Sequence, residues 1–178
     1  CLLMESIPTT LRSFKGGLGE SRAQLLITQL CAGVALLHAR DVTLHSTKLQ
    51  YETKPHKNTV GYWVNVTDQV YWDFTVSRGG RFDVEIHQGC GKGNGGSRVA
   101  LEVAGQKLEF TVKDTGHFQN FVPRKVGTVR LPKGEYRFWI KPIMKAGGAI
   151  MDVRQIQLLP VEGFTTSAMN KTNSIIST

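Results

Sequence analysis

The chain has 178 residues, 40% of them hydrophobic and 20% charged, with 22 Lys and Arg against 14 Asp and Glu for a net charge of +8. That length suits one domain with flanking segments, and no apolar run reaches the ~20 residues of a membrane-spanning helix. Three widely spaced cysteines, Cys1, Cys31 and Cys90, exclude a disulfide scaffold and a cysteine-only zinc site.

Residues 1–40 read differently from the rest. Arg12, Lys15 and Arg22 precede an apolar stretch from Leu25 to Leu37, with the small residues Ala32, Gly33 and Ala35 near its end. A positive region, a short apolar core and small residues before a cleavage point are what a secretory signal needs. The same stretch also fits a buried helix over Ala23–Leu37. The expectation is therefore a signal-like or helical leader and a secreted, extracellular or periplasmic location.

From Asp41 to Pro160 the pattern changes to period two. Val70–Val76, Arg81–His87, Val99–Val103, Leu108–Val112, Tyr136–Ile140 and Ile150–Leu158 alternate around β-branched, aromatic and aliphatic residues. Such alternation marks strands with one face on a core. Turn chemistry separates them at Ser77–Gly80, Ala104–Gln106 and Pro132–Gly134. Many short strands joined by turns predict an all-β domain, a β-sandwich of the jelly-roll kind, over residues 41–160. Beyond Pro160 the chain turns to Thr, Ser and Asn, the composition of a disordered tail or linker over 161–178.

Glycines cluster in one loop, Gly89-Cys90-Gly91-Lys92-Gly93-Asn94-Gly95-Gly96. Dinucleotide and phosphate loops need a helix N-terminus after the glycines. Here Ser97–Leu101 reads as a strand, which excludes a nucleotide loop. What remains is a long mobile hairpin, or a ligand loop whose amides and Lys92 meet an anion or a sugar hydroxyl. The basic residues are dispersed rather than gathered on one element, which argues against nucleic acid and suits an acidic glycan better. Cys90 with His117 and Asp114 or Asp152 makes a conceivable nucleophile, base and orienter, but no spacing supports it, and Cys90 reads better as a packed residue or free thiol. Trp63 is expected to be the exposed aromatic, because it stands before the turn Asn65–Asp68.

Four segments resemble, in order, those of family-six-like carbohydrate-binding modules, the galactose-binding-like jelly rolls attached to glycan-active enzymes. They are Val60-Gly61-Tyr62-Trp63 followed by Asp68–Phe74, then Gly80-Arg81-Phe82-Asp83-Val84, then Thr115-Gly116-His117-Phe118, and finally Met151–Ile156. The resemblance implies a non-catalytic module that binds a polysaccharide, accessory to a glycoside hydrolase or a sulfatase. It places aromatic platforms at Tyr62 or Trp63 and at Phe118, beside a polar rim of Lys92, His117, Gln119 and Asn120. Aromatic rings suit the apolar faces of sugars, and amides and charges suit the hydroxyls. The family's structural calcium would engage Asp152 together with backbone oxygens, since the first strand, Val42–His45, has no carboxylate. Ile150 stands where the family often carries a sugar-binding Asn. Two other readings stay open: a sandwich that packs on a neighbouring enzyme domain without a ligand of its own, and a hydrolase.

Overall fold

A computed structural model describes residues 35–161. The leader through residue 34 and the tail beyond residue 161 lie outside the described residues. Eleven strands form two antiparallel sheets: β1 (Ala35–His38), β2 (Thr43–His45), β3 (Gln50–Glu52), β4 (Thr59–Gly61), β5 (Gln69–Val76), β6 (Gly80–Gly89), β7 (Arg98–Val103), β8 (Gln106–Thr111), β9 (Val122–Leu131), β10 (Gly134–Met144) and β11 (Asp152–Pro160). One sheet runs β3-β4-β11-β6-β9, with β1 also paired to β11, and the other runs β2-β5-β10-β7-β8. The described domain is all-β, a β-sandwich.

Alternation decides which side chains meet between the sheets. Val84, Ile86, Val129, Leu131, Val153, Ile156 and Leu158 point inward from one sheet. Val70, Trp72, Val99, Leu101, Phe138 and Ile140 point inward from the other, and all are buried. The Trp72 indole donates to the His38 carbonyl at 2.7 Å, which ties the second sheet to β1. Ala35–His38, at the end of the apolar leader, is thus strand rather than helix; it pairs with Gln155–Leu158 and buries Leu37 in the core.

The sequence pattern left β9 unassigned. Its run Val-Pro-Arg-Lys-Val-Gly-Thr-Val-Arg-Leu carries Pro123 and Gly127, which obscure the alternation. Proline is tolerated because β9 is an edge strand. Gly127 is needed because a Cβ there would meet Leu108 Cδ2 at 2.8 Å. The predicted turn at Ala104–Gly105 is tight, with φ of 50° and 73°, the doubly left-handed form whose twist matches a hairpin.

Candidate functional site

Four loops meet at one end of the sandwich: 62–68, 90–97, 112–121 and 145–151. Their mutual bonds are specific. Ile150 N–H donates to the Trp63 carbonyl at 2.8 Å and Thr115 N–H to the Cys90 carbonyl at 3.0 Å. Lys145 Nζ reaches the Val64 carbonyl at 2.7 Å, and Ala149 N–H reaches Asn94 Oδ1 at 3.1 Å.

The glycine loop is tied down rather than loose, and the amides of Cys90, Lys92, Gly93, Asn94 and Gly96 are spent within the protein. Asp114 accepts from Gly93 N–H through one carboxylate oxygen and from Gly116 N–H, at 2.7 Å, through the other. The chain's own carboxylate therefore fills the place expected for an external anion. Two of the glycines are there for close approach. A Cβ on Gly89 would lie 1.9 Å from the Phe118 carbonyl oxygen, and one on Gly91 would lie 2.5 Å from the Phe118 ring. Segment 115–120 rests on this bare backbone.

That segment is ordered by its own polar groups. The Thr115 hydroxyl accepts from Cys90 N–H at 2.8 Å and lies 3.0 Å from the Cys90 and His117 carbonyls. Gln119 N–H donates to His117 Nδ1 at 3.1 Å. An accepting Nδ1 puts the neutral ring's proton on Nε2, which has no protein partner among the described residues. Asn120 spends Nδ2 on the Thr115 carbonyl at 2.7 Å and keeps Oδ1 unspent. His117, Asn120 and Lys92 are exposed, and Phe118 and Gln119 are half-buried. Lys92 joins this group through its backbone N–H, which donates to the Gly116 carbonyl at 3.3 Å.

Trp63 corrects the sequence expectation. It is fully buried, and its indole donates to the Asp68 carbonyl at 3.1 Å. The exposed aromatic is its neighbour Tyr62, at 55% exposure. Tyr62 takes a φ of 59°, a left-handed turn of the backbone that accompanies the outward placement of one ring and the inward placement of the next. Tyr62 and Phe118 flank the start of β11. Gly61 lies against Asp152, and Asp152 pairs with Gly89, on which the Phe118 carbonyl sits. Ile150 is fully buried and brings no polar group to the site.

Two residues escaped the sequence reading. The Arg154 guanidinium lies 3.9 Å from the centre of the Phe121 ring and donates to the carbonyls of His56, at 2.7 Å, and Lys57, at 2.9 Å. Arg154 sits between the shifted registers of Val153 and Gln155, a bulge that breaks the alternation through which strand residues are recognised. Phe121 follows Phe118 by three positions in a loop, where no periodicity applies.

The nucleophile reading finds no support. Cys90 is buried, and desolvation, with the Asp114 and Asp152 charges adding to it, pushes its thiol up to about 11. A thiol held protonated in this way is a poor nucleophile. His117 Nδ1 is committed to Gln119.

Asp152 is 5% exposed. Desolvation, then the Glu52 charge, raises its carboxyl to about 7 against a lowering by Lys57. Its surroundings are not an oxygen cage for a hard cation, which takes six to eight oxygens. The segment expected to carry further ligands, Val42–His45, contains β2, which lies in the opposite sheet. Among the described residues the second carboxylate beside it is that of Glu52, and its Oε1 is bonded by Lys57 Nζ. Among the described residues no group of three or more His, Cys, Asp or Glu side chains gathers. The calcium expected at Asp152 does not fit this set.

Residues 45–160 match the family described as "Domain of unknown function (DUF5077)". The chain belongs to the DUF5077 family. No curated protein matches it. Solved structures share the fold of this DUF5077 domain. The C-terminal CBM6 of LamC, a marine laminarinase from Zobellia galactanivorans, is 20% identical, with a TM-score of 0.57 over 71% of this chain and 98% of the module. The module CBM6cm-2 from Cellvibrio mixtus lichenase 5A, solved with cellotriose, is 21% identical, with a TM-score of 0.56 over 71% and 97%. A family 35 carbohydrate-binding module from Clostridium thermocellum is 12% identical, with a TM-score of 0.58 over 70% and 98%. The DUF5077 domain therefore has the β-sandwich fold of the CBM6 and CBM35 modules, as its sequence motifs imply. No described helix is long and apolar enough to cross a membrane.

Proposed function

We propose that this domain is a non-catalytic, secreted module that binds a polysaccharide at its loop end. The observation that carries the reading is Tyr62, an aromatic ring 55% exposed at the same end as polar groups with unspent hydrogen-bonding capacity, His117 Nε2–H and Asn120 Oδ1. Tyr62 and Phe118 offer faces to sugar C–H groups, while Lys92, His117, Gln119 and Asn120 take hydroxyls. Arg154 is bonded to carbonyls and an aromatic face rather than to a carboxylate, and Lys145 bonds the carbonyls of Val64 and Gly148. These uncompensated cations favour an anionic glycan, uronic or sulfated. The fold of the solved carbohydrate-binding modules supports this reading. Binding alone is the mechanism: the module raises the effective concentration of an attached or partner enzyme, a glycoside hydrolase or a sulfatase, at its polymer.

Affinity electrophoresis through neutral, uronic and sulfated polysaccharides tests this. Retardation by an acidic polymer, lost in Tyr62→Ala, is expected; no retardation by any polymer with the protein folded overturns it. The alternative of a ligand-free sandwich docked on an enzyme domain draws on the exposed apolar side chains of Val66, Ile143 and Met144. It predicts that the isolated domain binds no glycan and that charged substitutions at those three residues release the enzyme domain.

A further inference from the structure

We propose that Lys57 is a built-in counter-ion, standing where a divalent cation is expected, so that the Tyr62 end of the sandwich is held together without metal. Three carboxylate oxygens converge on the bare α-carbon of Gly61. A Cβ there would lie 2.7 Å from Glu52 Oε2 and 3.3 Å from each oxygen of Asp152. A side chain at position 61 would push the Glu52 carboxylate aside, so glycine leaves room for the carboxylates to meet at the residue that precedes Tyr62. Two carboxylates drawn this close out of water repel each other and lose hydration, and a neighbouring cation or a bound proton must relieve them. A hard cation would do so only with several further oxygens. The chain supplies an ammonium instead.

Lys57 reaches back across the β3–β4 hairpin to Glu52, and both side chains are mostly covered, at 27% and 10% exposure. The hairpin is built to deliver it. Tyr51 Oη donates to Asn58 Oδ1 at 2.7 Å, and the amides of Lys57 and Asn58 both donate to the Lys54 carbonyl at 2.8 Å. Arg154 grips the His56 and Lys57 carbonyls from the far side. The hairpin that carries the ammonium is thus fixed from three directions, and Asp152 is close enough for its charge to act on Lys57 and the charge of Lys57 to act on it. The arrangement is a Lys57–Glu52 ion pair with the Asp152 carboxyl beside it.

Thermal melting of the full chain, followed by circular dichroism, tests this without any glycan. Its outcome is therefore independent of whether the loop end binds sugar. The melting point is expected to be the same in excess EDTA and in about 5 mM calcium, a concentration above the range of weak extracellular sites. A native-state cation site would instead raise it by mass action. Lys57→Met should lower the melting point clearly more than Lys54→Met, since Lys54 is an exposed neighbour in the same hairpin. Glu52→Gln added to Lys57→Met should recover most of that loss by removing the unpaired repulsion. A wild-type melting point that rises with calcium and falls with EDTA overturns the proposal. So does a Lys57→Met loss no larger than that of Lys54→Met, or a double variant no better than the single one.

Discussion

Two surfaces of this molecule combine aromatic rings with cations, and they are not equivalent. On the outer face of the five-stranded sheet, His45, Tyr71 and Trp139 pack ring to ring, with Tyr71 and Trp139 centred 4.7 Å apart. Arg137 lies 3.8 Å above Tyr71 and Lys141 lies 5.1 Å from Trp139. Each of those cations is already taken: Arg137 forks onto Asp73 at 2.7 and 2.9 Å, and Lys141 bonds Glu102 at 2.5 Å. At the loop end, Tyr62 stands exposed, and the histidine and asparagine nearby have satisfied one side only. The lesson is that rings and charges alone do not mark a binding surface. What counts is hydrogen-bonding capacity left over after the fold has taken its share.

This contrast can be broken or sharpened experimentally. The largest effect is expected from Trp63→Ala, which empties a fully buried site beneath the platform and should cost about 3–5 kcal/mol in urea unfolding. Gly89→Ala comes next. Its methyl would overlap the Phe118 carbonyl, so segment 115–120 must lift. Overpacking of this kind costs about 1–3 kcal/mol, and glycan retardation should fall with it. Tyr62→Ala should weaken binding roughly tenfold, as the loss of one stacking ring does, while leaving the melting point nearly unchanged. Trp139→Ala is the matching control on the sheet face: it should lower stability modestly and leave glycan affinity intact. Equal losses of affinity in Tyr62→Ala and Trp139→Ala would erase the distinction.

A subtler effect concerns pH. The Asp152 carboxyl sits at about 7 in the folded chain against an ordinary value of 3.8, so between those values the folded state binds the extra proton. Its contribution to stability is full below about 4 and is lost as pH rises through about 7, at up to about 1.4 kcal/mol per pH unit. Glu52 and Lys57 are the charged groups facing it. Asp152→Asn should remove this part of the descent. Urea midpoints of the two proteins compared at pH 5 and pH 8 check it: the wild type should lose ground to the variant at the higher pH.

Much of the sandwich was legible because alternation is a local property. β5, β6, β7, β8, β10 and β11 all appear where period-two runs predict them. β9 escaped because its proline and glycine answer to an edge position and to Leu108, facts that belong to the tertiary structure. The site was legible in part. Motif order pointed to loops that the fold brings to one end of the sandwich, yet the choice between Tyr62 and Trp63 turned on a single left-handed φ that no composition announces. The glycine loop stayed ambiguous for a related reason. Glycines that make room for Phe118 look, in sequence, the same as glycines that offer amides to an anion. Asp114, which takes the Gly93 amide, lies twenty-one residues further on.

The strand β1 carries a practical consequence for anyone cutting this domain out of a longer chain. The family match begins at residue 45, and period-two alternation begins near Asp41, so either boundary would discard Ala35–His38. A fragment cut there would leave Gln155–Leu158 without the partner that now covers that edge, and it would strip the Trp72 indole of its acceptor. An unpaired strand edge beside a buried donor with no partner is a template for self-association. A fragment that starts at residue 45 and precipitates would therefore report on the cut rather than on the fold, and the cloning boundary belongs ahead of Ala35.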